Sequence, residues 1–299
     1  MRVDPRAIQL FLVVCREGTI SGAARAEHMS QPSVSVTISQ LERALGVKLF
    51  DRSRHGIILT PAGEALQRRA QAMENLLINA RSEVQLIGLN IAGPLTIGGT
   101  PGALATLIPR VVASLEKEFP KFEMRILERA DAVIHELLRS YHLDLAICTA
   151  GVYECPEDLR ELVLLTDPFS LLVGPANSHL PDEISLSELS DARWVLPDAI
   201  GGFRRQIDAL FIGSQTSVPA HVIRSDSLLT TKAIVRNTEF VTILPNEVAT
   251  VEISTGVLRA LRIREAGFRR QVGIRWLAER KPSPLARTFM EHAKRCRNI

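Results

Sequence analysis

Cysteine and aromatic residues are scarce in this 299-residue chain, which has four cysteines and 5% Phe, Trp and Tyr. Cys15, Cys148, Cys155 and Cys296 are widely spaced and form neither a CxxC pair nor a Cys/His ligand cluster, so a disulfide framework and a zinc site are both disfavoured. They read as reduced thiols, and the nearness of Cys148 to Cys155 is better explained by two tolerated or buried cysteines than by a redox sensor. Long apolar runs are missing: nothing approaches the ~18 uninterrupted apolar residues of a membrane span. The segment Met1-Arg2-Val3-Asp4-Pro5 lacks the apolar stretch of a secretion signal, so no membrane partner and a cytoplasmic location are expected. The catalytic signatures G-x-S-x-G, P-loop, G-x-G-x-x-G and H-E-x-x-H are absent, and His135, His142 and His179 do not fall at catalytic spacing from a nucleophile. Neither an enzyme nor a cofactor or metal is expected.

A dominant charge is lacking as well, the net being +3. Its distribution is uneven. Residues 1–60 hold eight Lys/Arg against five Asp/Glu, residues 61–92 three against three, and residues 93–299 twenty-five against twenty-five. The whole excess lies where a polyanion would be met, although three charges alone are a weak footprint. An apolar content of 46% with 23% charged residues is globular, and the length suits two or three domains.

From Pro5 to Arg16, Ile8, Leu10, Phe11, Leu12, Val14 and Cys15 include a helical i, i+3, i+4 set that Gly18 ends. Thr19 can cap a short second helix, Ile20 to about His28, whose Gly22, Ala23 and Ala24 allow close approach of a neighbour. Ser30 can cap a third helix through Gln31-Pro32-Ser33 to Ala44, with Pro32 in the first turn. Two helices joined by about three residues have helix-turn-helix spacing. Val47–Phe50 and Gly56–Leu59 then read as short strands around the turn Asp51-Arg52-Ser53-Arg54-His55, a β-wing.

Thr60-Pro61 opens a helix with no Gly or Pro from Glu64 to Ile87. Within it Leu66, Ala70, Met73, Leu77, Ala80, Val84 and Ile87 alternate at steps of four and three, the heptad seam of a dimerising helix. The competing reading is packing on its own domain. Position between two domains and an unbroken length of roughly 40 Å favour a partner helix.

Beyond Gly88–Pro94 strands alternate with helices: Pro94–Gly98, Ala103–Phe119, Phe122–Leu127, Ala132–Ser140 and Asp144–Cys148. Val163–Gly174 reads as an extended run broken at Asp167-Pro168, where the chain would enter a second unit. Strands at Trp194–Leu196, His221–Arg224 and Phe240–Leu244 and helices near Phe203–Ile212, Leu228–Arg236 and Asn246–Glu252 would build that unit. Strand Gln271–Leu277 and helix Pro284–Arg297 would close the first. Two lobes crossed twice by the chain make a ligand cleft.

The run Ala23-Ala24, Ser30-Gln31-Pro32-Ser33-Val34-Ser35, Ile38, Leu41-Glu42, Leu45-Gly46, Leu49-Phe50-Asp51-Arg52 and Leu59-Thr60-Pro61-Ala62-Gly63 resembles the signature of LysR-type transcriptional regulators. The resemblance implies an α/β chain in three parts: a winged helix-turn-helix at 1–60, a linker helix at 61–90, and an effector domain at 91–299. The last would resemble type 2 periplasmic binding proteins, with lobe I at about 91–166 and 267–299 and lobe II at about 167–266. It also implies promoter DNA, a small-molecule effector, a dimer paired into a tetramer, and RNA polymerase as a further partner.

The chemistry of the first part fits independently. Gln31, Ser33, Ser35 and Thr37 offer short donors and acceptors to base edges from the start of a recognition helix that Pro32 opens. Arg52, Arg54 and His55 suit phosphates or a minor groove, and Thr19, Ser21 and Arg25 suit the backbone. Any one could be a solvated side chain; together they point to DNA. Two positions depart from the family pattern. Glu27 stands where Leu is usual in the second helix, which should weaken its packing, and Val36 replaces a frequent Arg, offering contact to a thymine methyl but no bidentate guanine contact.

In the effector region Thr100 before Pro101-Gly102 makes an anion-friendly helix start, with hydroxyl capping by Thr100 and Asp226 as the plain structural alternative. The resemblance adds Ala130, Asp131, Thr149, Gly201-Gly202-Phe203 and Ser225-Asp226 as effector-site residues. A glycine-rich turn common in the family is replaced here by Asn237-Thr238-Glu239-Phe240, so Thr238 or Glu239 is expected to narrow the cleft mouth or to contact a ligand donor. An anionic small metabolite is the expected ligand. Two rival readings are an enzyme with an appended DNA-binding domain and an architectural DNA binder with an empty cleft.

Overall fold

Asp4 starts α1 (Pro5–Glu17) by accepting a hydrogen bond from the Arg6 N–H, and Gly18 ends it at φ 67°, a conformation that costs glycine little. Thr19 caps α2 (Ile20–Ala26) and Ser30 caps α3 (Gln31–Leu45), each by accepting from a first-turn N–H. The computed structural model describes residues 3–53, 56–198, 201–217, 219, 222–267 and 269–296, and it divides into two units, 1–85 with 139–142 and the remainder.

In the smaller unit α2 stops at Ala26, two residues before the expected His28, because Glu27 forms its C-cap and His28 turns to φ 52°. Glu27 is therefore exposed and outside the helix, and the expected loss of packing there is corrected. The wing consists of β1 (Phe50–Ser53) antiparallel to β2 (Gly56–Leu59), with Phe50 opposite Leu59. Its first strand starts at Phe50, not Val47, because the N–H groups of Val47 and Leu49 are held by the carbonyl and carboxylate of Glu42. Arg54 and His55 lie outside the described residues. The core joins Phe11, Val34, Ile38, Leu41 and Leu49, with the rings of Phe11 and Phe50 5.1 Å apart.

Helix α4 (Pro61–Gly88) divides the heptad stripe in two. Ala70 is buried and Leu66 half-buried against the core of the same unit, so packing on its own domain accounts for Ala70, and the expected partner contact of that residue is corrected. Further along, Leu77 is 52%, Val84 71% and Ile87 69% exposed, with Ala80 exposed and Met73 half-buried between.

The larger unit is two-lobed. In lobe I, β3 (Ala92–Gly99) lies parallel to β4 (Phe122–Glu128) and β5 (Leu145–Ala150), with α5 (Pro101–Glu118) and α6 (Asp131–Arg139) between them in sequence. The next strand, β6 (Leu159–Val173), runs without interruption through Asp167-Pro168, where a break was expected. It changes partners there. Residues Leu159–Pro168 pair with β12 (Arg269–Leu277), and Phe169–Val173 pair with lobe II, so Pro168 stands at the changeover, where the ladder least needs its missing N–H.

Lobe II adds β7 (Glu183–Ile184), β8 (Arg193–Leu196), α7 (Gly202–Gly213), β9 (Val222–Arg224), α8 (Leu228–Asn237), β10 (Phe240–Pro245), α9 (Thr250–Ser254) and β11 (Arg259–Ile263). β8 is parallel to β9 and β10, while β10 and β11 flank the second half of β6 antiparallel. β7 and β11 escaped the sequence reading, and the expected helix Asn246–Glu252 is a 3-10 turn, Asn246–Ala249, followed by α9. The expected His221 lies outside the described residues. Helix α10 (Pro284–Arg295) returns to lobe I and ends before Arg297, also outside them. Each lobe has its own core: Ile97, Leu107, Val111, Ile274 and Phe289 in lobe I, and Leu171, Ile243 and the edge-on pair Trp194–Phe211 in lobe II.

Among the described residues no single helix is long and apolar enough to cross a membrane, and no His/Cys/Asp/Glu group could hold a metal. All four cysteines are free, and burial pushes the Cys148 thiol up to about 12. Gly63 is a tight point, because a Cβ there would stand 2.1 Å from the Leu49 carbonyl oxygen. Gly63→Ala should therefore force α4 away from the wing and cost about 1–3 kcal/mol. A urea titration followed by far-UV circular dichroism should show an earlier loss of helix; an unchanged midpoint would mean that the approach is not required.

Candidate functional site

The exposed side of α3 follows from which residues its core takes. Val34, Ile38, Leu41 and Glu42 point inward, so helical periodicity turns Pro32, Ser33, Val36 and Gln40 outward. Val36 is 55% exposed at the centre of this face. Gln31 is exposed at its start, while Ser35 and Thr37 lie half-buried on its two flanks. The hydroxyls are partly engaged: Ser33 Oγ lies 2.7 Å from Ser30 Oγ, and Thr37 Oγ1 donates to the Ser33 carbonyl. Thr37 can therefore offer a base an acceptor more readily than a donor. Gln40 and Arg43, both exposed, continue the face and were not singled out from the sequence, although counting from Val36 by three and four reaches Gln40 and then Arg43. Thr19, Ser21 and Arg25 are exposed on or beside α2, with Thr19 Oγ1 accepting from the Gly22 N–H.

A buried carboxylate ties this helix to the wing. Glu42, 6% exposed, accepts from the Leu49 N–H at 2.9 Å, the Phe50 N–H at 3.4 Å and Lys48 Nζ at 3.0 Å. Burial alone would raise its pKa; the N–H of Leu49, the Lys48 ammonium and the N–H of Phe50 outweigh it and hold the carboxyl below its ordinary range.

In the larger unit a cavity of about 250 Å³ opens between the lobes. Strand carboxyl ends surround it, the usual place for ligands in open α/β sheets. Lobe I contributes Thr100, Pro101 and Gly102 after β3, Ala130 and Asp131 after β4, and Thr149 on β5. Lobe II contributes Gly201 and Phe203 at the start of α7, and Ser225 and Asp226 after β9. The sequence-selected set is thus largely brought together. Gly202 stands just behind the lining, its N–H donating to Asp131 Oδ2 at 3.0 Å and so linking the lobes across the cleft.

Three expectations change. Thr100 makes no side-chain cap on α5, which leaves its hydroxyl for other uses. Ser227, not Asp226, caps α8, while Asp226 accepts from the Asp198 N–H. Thr238 and Glu239 do not line the cavity: Thr238 Oγ1 folds back to donate to the Ile234 carbonyl at the end of α8, and Glu239 lies 3.8 Å from Arg193 with its side chain 70% exposed.

Sequence reasoning missed Arg270, which lines the cavity while only 2% exposed. The signal was available: strand alternation places Arg270 on the side of Val272 and Ile274, both buried. Its Nη2 donates to Thr106 Oγ1 at 3.0 Å and lies 3.4 Å from Asp167 Oδ2. Burial pushes Asp167 up to about 6 and Arg270 down to about 10, although each charge favours the other.

Residues 5–64 match the family described as bacterial regulatory helix-turn-helix protein, lysR family, and residues 90–297 match the LysR substrate binding domain. The uncharacterized HTH-type transcriptional regulator YybE of Bacillus subtilis is 26% identical over 95% of this chain and 96% of its own. HTH-type transcriptional regulator GbpR of Azospirillum brasilense is 27% identical over 97% of this chain and 85% of its own. Among solved structures, full-length OxyR from Pseudomonas aeruginosa superposes with a TM-score of 0.68 at 25% identity, over 98% of this chain and 95% of that one. CbnR complexed with its target DNA superposes at 0.73 and 19% identity, over 98% and 99%.

Glu42→Ala should strand two backbone donors and cost about 1–3 kcal/mol, with Glu42→Gln losing less because an acceptor remains. Thermal unfolding should rank the variants wild type, Gln, Ala; equal midpoints would show that the carboxylate does not hold the wing.

Proposed function

The chain belongs to the LysR-type family of transcriptional regulators, not enzymes, and from that premise we propose how its own residues divide the work. The winged unit reads promoter DNA in the cytoplasm, with α3 in the major groove. Ser33, Ser35, Thr37 and Gln40 face base edges, Val36 meets a thymine methyl, and Gln31 lies at the helix start. Thr19, Ser21 and Arg25 hold the phosphate backbone, as Arg52, Arg54 and His55 do from the wing. The observation that carries this reading is the outward polar face of α3 around Val36, locked to the wing by Glu42.

A small effector occupies the cavity between the lobes. It acts by favouring one spacing of the lobes over another, since binding both equally would shift nothing. The exposed half of the α4 stripe, Leu77 to Ile87, pairs with the same helix of a second copy, and dimers pair again on bent DNA. RNA polymerase is a further partner in this reading.

Replacing Ser35 and Thr37 together with Ala should weaken binding to the promoter beside the gene by at least tenfold while leaving binding to unrelated DNA within about twofold, because base contacts specify and phosphate contacts do not. Gel-shift titration at fixed salt reads both; equal losses would remove these residues from base reading. Leu77→Glu with Val84→Glu should halve the mass seen by sedimentation equilibrium, and an unchanged mass would show that this stripe is not the dimer seam.

A further inference from the structure

We propose that α6 is a strut that carries the spacing of the two lobes to α4, with Asp131 at its lobe-facing end and the carbonyls of Ser140 and Tyr141 at its α4-facing end. This deepens the reading of the cavity as the effector site, and its regulatory meaning rests on that reading. Both ends of one short helix are tied, each to a different part of the molecule.

The α4-facing end is held by two asparagines. Residues 139–142, the last residue of α6 and the turn behind it, fold with the smaller unit although the sequence on either side belongs to the larger. Asn75 Nδ2 donates to the Ser140 carbonyl at 2.7 Å, and Asn79 Nδ2, one turn further along α4, donates to the Tyr141 carbonyl at 3.2 Å. Carbonyls at a helix end have no intrahelical donor left, so α4 supplies one. Tyr141 takes φ 55°, a left-handed conformation that glycine usually fills behind a helix, so the turn holds a shape that its own residue does not favour. Asn75 is 8% exposed, and Gln71 Nε2 donates to its Oδ1 at 3.4 Å, which leaves the amide nitrogen facing the turn. Gln71 also donates to Glu74, whose other carboxylate oxygen accepts from Arg16 of α1. The same set of hydrogen bonds thus reaches the first helix of the winged unit.

The lobe-facing end is held by a shared cap. Gly201, the N-cap of α7, has no side chain to serve that helix start, and Asp131 serves it from the other lobe by accepting from the Gly202 N–H at 3.0 Å. A Cβ on Gly201 would stand 3.1 Å from Asp131 Oδ2, so glycine leaves the carboxylate room. Any change of lobe spacing therefore acts on Asp131.

Between these ends α6 has nine residues, about 12 Å at 1.5 Å per residue, with Ile134 and Leu138 buried. A helix of about two and a half turns shifts as one piece, so displacement at one end is met at the other. Two other contacts between the lobes bypass it: Arg110 of α5 pairs with Glu247 of lobe II, and Arg205 of α7 lies 4.8 Å over the Tyr153 ring. Neither passes through α6.

Hydrogen exchange read by mass spectrometry on the full chain, with no DNA or small molecule added, tests the strut from both ends. Asp131→Ala should speed exchange at the start of α7 and also, by about threefold or more, at 74–82 in α4. Asn79→Ala should do the converse and reach 202–206 in α7, because coupling between two sites is reciprocal. Asp131→Asn keeps an acceptor and should fall between wild type and Ala, which keeps the series readable where the alanine variant does not fold. Arg110→Gln, which loosens the lobes away from α6, should leave 74–82 unchanged. Effects confined to the substituted end, or an equal rise at 74–82 with Arg110→Gln, would each overturn the proposal. Footprinting on the promoter beside the gene separates the strut from the regulatory reading. Faster exchange at 74–82 in Asp131→Ala with an unaltered footprint upholds the strut and sinks that reading, whereas an altered footprint with unchanged exchange at 74–82 sinks the strut alone.

Discussion

The larger unit depends on one strand giving its hydrogen bonds to two sheets. Residues Leu159–Pro168 of β6 complete the ladder of lobe I, and Phe169–Val173 complete that of lobe II. A strand cannot shift register in one lobe without disturbing the other, since a slip of one residue would turn each core side chain to the wrong face. The two cores are thereby fixed against a common rail while remaining separate clusters. Asp167, at the changeover, is fully buried, and Arg270 at the returning start of β12 lies 3.4 Å away. The polar pair sits where the chain passes between lobes, and the cavity opens beside it.

A comparable constraint organises the small unit. Without Glu42 the connection from α3 to the wing would have buried N–H groups with no acceptor, so a single carboxylate turns a helix end and a strand start into one rigid element. The helix and the wing, which belong to different secondary structures, then keep one geometry. The lost conformational freedom is spent before DNA arrives, which favours specific over adaptable contact.

Helices with good caps were legible because the capping chemistry is local: Thr19 and Ser30 each announce a helix start within three residues. The cavity-lining residues of lobe I were legible by resemblance and strand-end position. What stayed hidden was non-local. Pro168 looks like a break until β12 is known to leave β6 at that point, and β11 is a five-residue strand whose partners β6 and β7 are far off in sequence. Alternation with Val272 and Ile274 separates Arg270 from its exposed neighbour Arg269, but its partners at the start of α5 and on β6 are far off in sequence. The α4 stripe was over-read because a heptad cannot say which of its residues are already covered, and Ala70 is.

The same two-lobed arrangement sets a condition on any switching. Asp131 joins lobe I to the start of α7 in lobe II through the Gly202 N–H, so the lobes are in direct contact across the cleft. A ligand that merely filled the cavity would add affinity without preference between lobe spacings. One that touches both walls of the cavity at once makes contacts that exist together only at one spacing. To move an equilibrium from one part in a hundred to ninety-nine, that difference must reach about 5.5 kcal/mol. A charge-assisted pair to a guanidinium contributes about 1.5–3 kcal/mol, and burying an apolar side-chain-sized body a similar amount. Neither contribution alone reaches that figure, so a shift of that size would need both kinds of contact.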